Sequence, residues 1–539
     1  FIFIKSITFS QKDIRFHPWD WVTFDETKKI NSISDGNEYI YFASNGGILR
    51  FHLFGNYWDY PISTSQGLNS NLISAVYYDL NTNILWASSN NTLNYSHNQG
   101  ETWNKINNVN FKNIIRIGAD NEYIYCINNY EIIKINNLSG GIIEYMNKID
   151  ETNEIKWSSH LSLNSFKNKI NEFSFSGGWY MQNNDLVGPK ISDNHTISTF
   201  YLDRFGDSWV GTNKGYIFKG SNQLLNMELV FQGLSNSNIN DLKIWENKLW
   251  VSGNTNYNSS SSISLFDYNN FNFETFTSEE QINFNFNSIY KIQRVLNEWY
   301  FLSFDGIKIF DPKKENWFFL NKSQKYFEYN YFNSITNDNE YIYLGTKNGI
   351  NRFLINSFDF NNWSVSQKIG NIPIDHVFWD GRSLWICSGL RIWRWVKDAN
   401  FLSEYGSNNS IESDFFGLES SIQSSTLSDD KIFFAEKTSL LILDKINFTW
   451  KRVKYNRKLI SAQIFEIEYF KLNGNEELIW FATNKGVFLI NISENYQLDF
   501  NHDNGLSSNF VTSIEINENE IWFGTSSGIC RFNWLNHLK

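Results

Sequence analysis

The pattern Ile-Trp-Phe-Gly-Thr-x-x-Gly-Ile-x-x-Phe at residues 521–532 recurs in degraded form along the whole chain. Copies stand at 341–353, 479–490, 208–218 and 39–51, and weaker ones centre on Trp86, Tyr125, Trp250, Tyr300, Trp385 and Phe433. Their aromatic anchors lie roughly 40 to 50 residues apart, with one gap about twice as long. A fixed period of this size means a repeat fold, which grows by adding units instead of enlarging one core.

Every copy reads alike. An alternating stretch such as 511–516 suits an inner strand, and a polar turn at 517–520 follows it. The Ile-Trp-Phe-Gly-Thr stretch is a second strand, whose Gly, Ala or Ser lets a neighbouring sheet approach closely. Cys387 takes the same slot as Gly524, Gly345 and Ala482. A turn ending in Gly349, Gly486 or Gly215 leads to a third strand, where glycine supplies positive φ. A fourth strand carries a late aromatic: Trp58, Trp103, Trp317, Trp363 or Trp450. Four strands per unit is the blade of a β-propeller. With 18% aromatic residues and only 5 prolines, the core is built from Trp, Tyr and Phe. The fold class is all-β.

Eleven copies are clear, and the long gap between Tyr125 and Trp209 accommodates a twelfth. About twelve blades exceed the roughly four to eight of one ring, so two propellers are expected. The last copy reaches Phe532 without a fourth strand of its own, while residues 19–24 (WDWVTF) read as a fourth strand with none before it. Pairing the two closes a ring on both ends of the chain and removes exposed sheet edges. The expected division is residues 11–148 plus 461–539 in the first propeller, with 149–460 inserted as the second. The chain then crosses between rings near 149–195 and again near 455–461. Residues 1–10, apolar with Thr8, Phe9 and Ser10 as a small-x-small site, read as the remnant of a signal peptide. A periplasmic or extracellular, bacterial exported protein is the resulting expectation.

A second signature precedes several inner strands: Gly67-Leu-Asn-Ser-Asn71, Gly233-Leu-Ser-Asn-Ser237 and Gly505-Leu-Ser-Ser-Asn509. Together with residues 203–212 (DRFGDSWVGT), these motifs resemble the two-component regulator propeller repeat. The resemblance covers most of residues 20–535 and is specific at 203–215, 341–353 and 521–532. It implies a periplasmic sensor-type propeller; nothing after Phe532 resembles the β-sandwich, membrane helix or kinase core of such sensors. Residues 96–103 (SHNQGETW) resemble the Asp-box hairpin of sialidase-like propellers, with Asn98 at the Asp position. That box implies a hairpin device remote from catalysis.

A net charge of −11 and pI near 5.4 argue against a nucleic-acid partner or an anionic membrane surface. No stretch approaches the about eighteen apolar residues of a spanning helix. Cys126, Cys387 and Cys530 lie in expected strands and suit neither a metal site nor a disulfide framework. No metal or cofactor site is read. The eight histidines are scattered: His17, His52, His97, His160, His195, His376, His502 and His537. His376 is expected at the entry to an inner strand, with a general base as the sharper alternative. Asp35, Asp120, Asp380 and Asp429 fall in first turns, and Asp267, Asp311, Asp359 and Asp444 follow third strands, where Asp forms turns. No catalytic residue is assigned.

In a blade, the fourth-to-first connection and the second-to-third turn emerge at the same end. That face carries Asn71, Asn238 and Asn509, with Asn45, Lys214, Lys347 and Lys485 on the turns. Amides and lysines among aromatics suit a carbohydrate, peptide or protein ligand. Turn capping by these same amides is the plainer role. The expected function is a non-catalytic, exported binding or sensing propeller. The alternative is a carbohydrate-active enzyme, a glycoside hydrolase or polysaccharide lyase, with a polysaccharide held in a crevice between rings.

Overall fold

A computed structural model describes residues 16–534 apart from 90, 107–113, 149–153, 160–168, 184, 191–192, 222, 255–261, 278–288, 322–331, 356, 358–362, 406–414, 473–475 and 518–519. The signal-peptide reading at 1–10, His160, Asp359 and His537 lie outside the described residues. The rest form eleven sheets built from antiparallel hairpins. In chain order their first strands are Ile30–Asp35 (sheet 1), Ile73–Asp79 (sheet 2), Arg116–Ala119 (sheet 3), Asn194–Leu202 (sheet 4) and Asn238–Trp245 (sheet 5). Lys291–Val295 opens sheet 6, Phe332–Asn337 sheet 7, His376–Trp379 sheet 8, Ser424–Leu427 sheet 9, Ile464–Leu472 sheet 10 and Val511–Asn517 sheet 11. Every anchor of the repeat falls on the second strand of its sheet, as its periodicity requires. The architecture is a β-propeller.

The fixed residues of the repeat each have a physical cause. The Thr or Ser that ends the second strand donates its hydroxyl to a glycine carbonyl three residues on: Ser44 to Gly47 (2.8 Å), Thr346 to Gly349 (2.8 Å), Thr483 to Gly486 (2.7 Å) and Thr525 to Gly528 (2.9 Å). Those glycines have positive φ, between 84° and 111°. A Cβ on Gly486 would also lie 2.3 Å from the Phe500 carbonyl oxygen, so no other residue fits. The small slot of the second strand receives the next sheet. A Cβ on Gly211 would meet Ile30 at 2.5 Å, and one on Gly524 would meet Ile239 at 2.8 Å.

The chain's first strand, Trp21–Phe24, pairs antiparallel with Gly528–Asn533 and completes sheet 11. The ring closure expected from residues 19–24 is therefore present. Trp21 is 2% exposed and stacks on Phe532 at 4.0 Å and 10°.

Shared cores arrange the sheets in two series. Sheets 5 to 11 follow one another round a closed ring, sheet 11 packing on sheet 5 through Trp522, Ile529, Ile239 and Leu242. Sheets 4, 1, 2 and 3 form the other series, in that spatial order. Sheets 9 and 10 share a core across residue 460, and Lys156–Trp157 pairs with the first strand of sheet 3. The chain passes between the series at 25–29 and 232–237 instead, two segments lying side by side with Thr27 N–H donating to the Leu234 carbonyl (3.1 Å). The periodicity gave no hint of this place because both passages are short.

Between Met146 and Asn194, within the stretch where a twelfth unit is expected, the described strands are short. Lys156–Trp157 joins sheet 3, and Ser174–Phe175, Tyr180–Gln182 and Asp185–Val187 join sheet 4. Sheet 7 has three described strands, and Trp363 caps the helix Ser364–Ile369 instead of lying in a fourth strand. Its indole keeps the expected place in the core, 5.0 Å from Trp395.

Removing Trp21 takes away the seam of the closed ring. Trp21→Ala is expected to lower the unfolding free energy by about 3–5 kcal/mol. Leu296→Ala, at a side chain 45% exposed, should stay within about 0.5 kcal/mol. Urea unfolding of both variants checks the contrast.

Candidate functional site

The two loop classes expected to share one face do meet. Gly47 N–H donates to the Asn71 carbonyl (2.7 Å) and Gly486 N–H to the Asn509 carbonyl (2.6 Å). The amides of that face work largely as caps. Asn71 Oδ1 accepts Thr64 N–H (2.9 Å) while its Nδ2 donates to Asp25 (3.1 Å), and Asn509 Oδ1 accepts His502 N–H (2.7 Å). Asn45 Oδ1 accepts from Asn31 (3.1 Å), and Asn238, half-buried, pairs across the sheet with Asn254. Lys214, Lys347 and Lys485 are exposed, and Lys485 donates to Ser461 Oγ (3.0 Å). Beside Asn484 lies a hollow of about 430 Å³ lined by Ser420, Ser421, Gln423, Ser461 and Gln463. The buried Glu436 carboxylate supports its rim by accepting Ser420 N–H (3.2 Å) and Ser439 Oγ–H (2.7 Å), with Arg452 at 3.2 Å.

Asp120 and Asp380 form turns, as their position implies, whereas Asp35 ends its strand and accepts from Tyr201 OH and Arg204 N–H of sheet 4. Asp380 Oδ1 accepts Arg382 and Ser383 N–H (2.8 and 2.6 Å) and its Oδ2 accepts Trp385 Nε1–H (2.7 Å). Asp120 repeats this with Tyr125 OH (2.7 Å), and Asp203, in the regulator-like motif, with Trp209 Nε1–H (2.9 Å). The Asp-box-like hairpin is also a closed network. Ser96 Oγ–H donates to Asn98 (2.9 Å), Gly100 N–H to Ser96 Oγ (2.9 Å), and Trp103 Nε1–H to the Gly100 carbonyl (3.1 Å). The three cysteines are free and buried, and burial pushes the Cys530 thiol up to about 12.

A polar cluster that no motif announced lies on the inner strands of the seven-sheet ring. In both series, inner strands are laced by side chains that accept an N–H from the next sheet. Ser34 accepts from Tyr78 (3.0 Å), Ser334 from Val377 (3.0 Å) and Thr426 from Tyr469 (3.1 Å). Sheets 5, 10 and 11 use acids for this: Asp241 accepts from Ile292 (2.6 Å), Glu466 from Ile514 (2.9 Å) and Glu515 from Ile244 (3.1 Å). Two lysines compensate them. Lys243 pairs with Glu515 and lies 3.8 Å from Glu466; Lys291 lies 2.7 Å from Glu466 and 3.4 Å from Asp241. Burial alone would raise Glu466, but Lys291 and Lys243 outweigh it and hold the carboxyl below its ordinary range. Glu468 is on the same strand without such a partner among the described residues. Burial raises it to about 8 against the pull of Lys243, with Glu515 and Glu466 adding to the rise. His376, first residue of sheet 8 as expected, shares a hydrogen bond with Ser425 (2.8 Å). Burial lowers its imidazole to about 4, Lys291 adding to the fall.

A further cavity is at the opposite ends of the strands, where the two series meet. It is an open crevice of about 650 Å³, within the roughly 300–1,000 Å³ of small-ligand sites. Asn56, Tyr57 and Trp58 of sheet 1 form one wall, residues 219–221 with Asn226 and Glu228 of sheet 4 another, and Asn269, Asn270 and Asn272 of sheet 5 the third. Asn56 Oδ1 accepts from Lys219 Nζ (3.2 Å) and Asn272 Oδ1 from Gln232 N–H (3.2 Å). Among the described residues neither amide NH2 has a protein acceptor, and both remain donors. Lys219 is neutralised by Asp207 at 3.3 Å. Asn269 also borders a second hollow of about 260 Å³, walled by Tyr60, Tyr268, Trp522 and the ion pair Glu520–Arg531. Sequence reasoning missed this site because its residues come from the third-to-fourth turns and the flanking strands of three sheets. The run Tyr268-Asn-Asn-Phe-Asn272 was its one local signal.

No protein-family model matches this chain, and no curated protein matches it. Among solved structures, it is similar to the extracellular domain of a proposed hybrid two component system from B. thetaiotaomicron, over 93% of this chain and 69% of that one, at 12% identity and a TM-score of 0.44. A second such domain from the same organism shares 15% identity over 95% and 83% of the two chains, with a TM-score of 0.43. PorZ, a surface component of the type-IX secretion system of Porphyromonas gingivalis, shares 12% over 95% and 87%, with a TM-score of 0.37. The propeller architecture follows from the strand pairing itself.

Glu468 gives the channel cluster a measurable signature. Its folded-state carboxyl, at about 8, lies above the ordinary 4.5. The folded protein therefore holds this proton more tightly than the unfolded chain does. Its contribution to stability is full below pH 4.5 and is lost as pH rises through about 8. Glu468→Gln should remove that loss, so its melting temperature, relative to the parent, rises between pH 5 and about 9. A pH series of thermal melts on both proteins checks it.

Proposed function

We propose that this chain is an exported, non-catalytic β-propeller protein that binds a neutral carbohydrate in the crevice between sheets 1, 4 and 5. The observation that carries the reading is the crevice's chemistry. An aromatic ring 51% exposed at Tyr57 stands beside asparagine amides and one carboxylate, Glu228, that has no ion pair among the described residues. Sugar rings present C–H faces to aromatics and hydroxyls to amides and carboxylates. A phosphate or other anion would need uncompensated positive charge, and Lys219 is already matched by Asp207. The loop face with Lys347, Lys485 and the hollow beside Asn484 is a second surface for a peptide or protein partner.

Catalysis of glycoside cleavage requires a carboxyl kept protonated by burial beside an ionised one. In the crevice, Asp207 is tied to Lys219 and Glu228 is exposed. One observation favours the enzymatic reading elsewhere: Glu468 and Glu466, two residues apart in the ring channel, are pushed in opposite directions. Glu466 is nevertheless occupied by Lys291 and by Ile514 N–H, which suits lacing.

A glycan array followed by mass spectrometry of the bound sugars tests both readings. Binding without shortening of the glycan is expected. Tyr57→Ala and Asn269→Ala should each weaken it roughly tenfold, about 1.4 kcal/mol. Shortened products that vanish in Glu468→Gln would replace the binding reading with the enzymatic one.

A further inference from the structure

Exposed aromatic rings continue the crevice across sheet 1 to sheet 4. Tyr57, which lines the crevice, stacks on His52 at 4.9 Å and 11°. His52 meets Phe54 edge-on at 6.3 Å, and Phe54 meets Phe205 at 6.1 Å. Phe54 is 70% exposed and Phe205 55%. Four rings from two sheets thus form a continuous row open to solvent. Contiguous exposed apolar surface of this kind marks an interaction site more often than chance.

The row is held in place by polar contacts beneath it. Gly55 N–H donates to His52 Nδ1 (2.8 Å), so in the neutral ring Nε2 carries the hydrogen and can donate outward. The Arg204 guanidinium lies 4.9 Å from the centre of the Phe205 ring, and it donates to the Gly36 carbonyl (2.8 Å) across the boundary between sheets 4 and 1. Phe54 and Phe205 therefore face each other across a fixed junction between two blades.

We infer that the row Phe205, Phe54, His52 and Tyr57 is an extended saccharide platform, so that the ligand is a chain running from the crevice over the row. This rests on the saccharide reading of the crevice and adds the ligand's length and direction. Successive sugars lie along the exposed faces and edges of the row, while hydroxyls meet His52 Nε2 and the crevice amides. A folded protein partner suits the row less well, because the rings follow one line that leads into a polar crevice.

The experiment uses native gels cast with neutral polysaccharides (β-glucan, xylan, mannan, arabinan and levan). Calorimetric titration then follows with the disaccharide and octasaccharide of whichever polymer retards the protein. The parent protein should bind the octasaccharide at least about tenfold more tightly than the disaccharide. The double variant Phe54→Ala/Phe205→Ala should lose that gain, bind the disaccharide like the parent, and melt at the same temperature because both rings are exposed. Asn269→Ala should weaken both lengths. A double variant that keeps the full gain with length overturns the platform and leaves the crevice reading standing. A parent protein retarded by none of the polymers overturns both. Capture of a protein partner that needs Phe54 and Phe205 and survives without sugar overturns the saccharide occupant of the row.

Discussion

The pairing of Trp21–Phe24 with Gly528–Asn533 governs the arrangement of everything else. It closes the seven-sheet ring, and it obliges the chain to leave that ring at once, through 25–29, to begin sheet 1. The return at 232–237 must then run beside the exit, and Thr27 N–H donating to Leu234 ties the two together. Two sheet series joined by adjacent short segments cannot swing freely apart. Phe24 and Phe271 stack at 5.8 Å, and Tyr60 meets Phe271 at 5.0 Å, which carries the apolar contact outward from the crossing. The crevice is what remains at the rim of that contact, where the outer strands of sheets 1 and 4 diverge from the turn at 269–272. One strand of four residues thus sets both the closure and the candidate site.

The inner strands pose a separate problem. Each presents an unpaired edge toward the ring centre, and buried N–H groups need acceptors. Ser and Thr meet this need without charge in sheets 1, 7 and 9. Sheets 5, 10 and 11 instead use Asp241, Glu466 and Glu515, which bring buried charge and require Lys243 and Lys291 as partners. Breaking one member of such a set costs more than never having built it, because the remaining charge stays buried. The cluster spans the junction between the last and first sheets of the ring. Charge there reinforces the closure that Trp21 makes from outside.

How much of this was readable depended on whether a residue's role is local. The Gly-Thr-x-x-Gly element was legible because one turn imposes all of it: the Thr525 hydroxyl, the positive φ of Gly528 and the close carbonyl of Phe24. Asp120 and Asp380 were legible for the same reason. The division between series was not, since 25–29 and 232–237 resemble ordinary connections between blades. Trp363 reaches the core from a helix terminus instead of a strand, because different backbones can deliver an indole to the same buried place. Asn71 and Asn509 accept N–H groups from Thr64 and His502, bonds that lie within one local connection and so are legible there. The crevice was beyond local reading, for Tyr57, Glu228 and Asn269 are distant in sequence and fit no motif.

That contrast bears on how a propeller of this kind acquires specificity. Residues that build a blade recur in each unit and cannot differ between ligands, whereas the third-to-fourth turns vary freely. Asn56, the run 268–272 and Phe54 all belong to such turns, and the positive φ of Asn56 and Phe271 shows turns shaped tightly enough to hold a side chain in place. Rigid turns lower the ordering cost of binding, which for weakly interacting, uncharged ligands is a large share of the balance. A surface of aromatic rings and amides with one exposed carboxylate, Glu228, on rigid turns therefore suits recognition by shape and stacking.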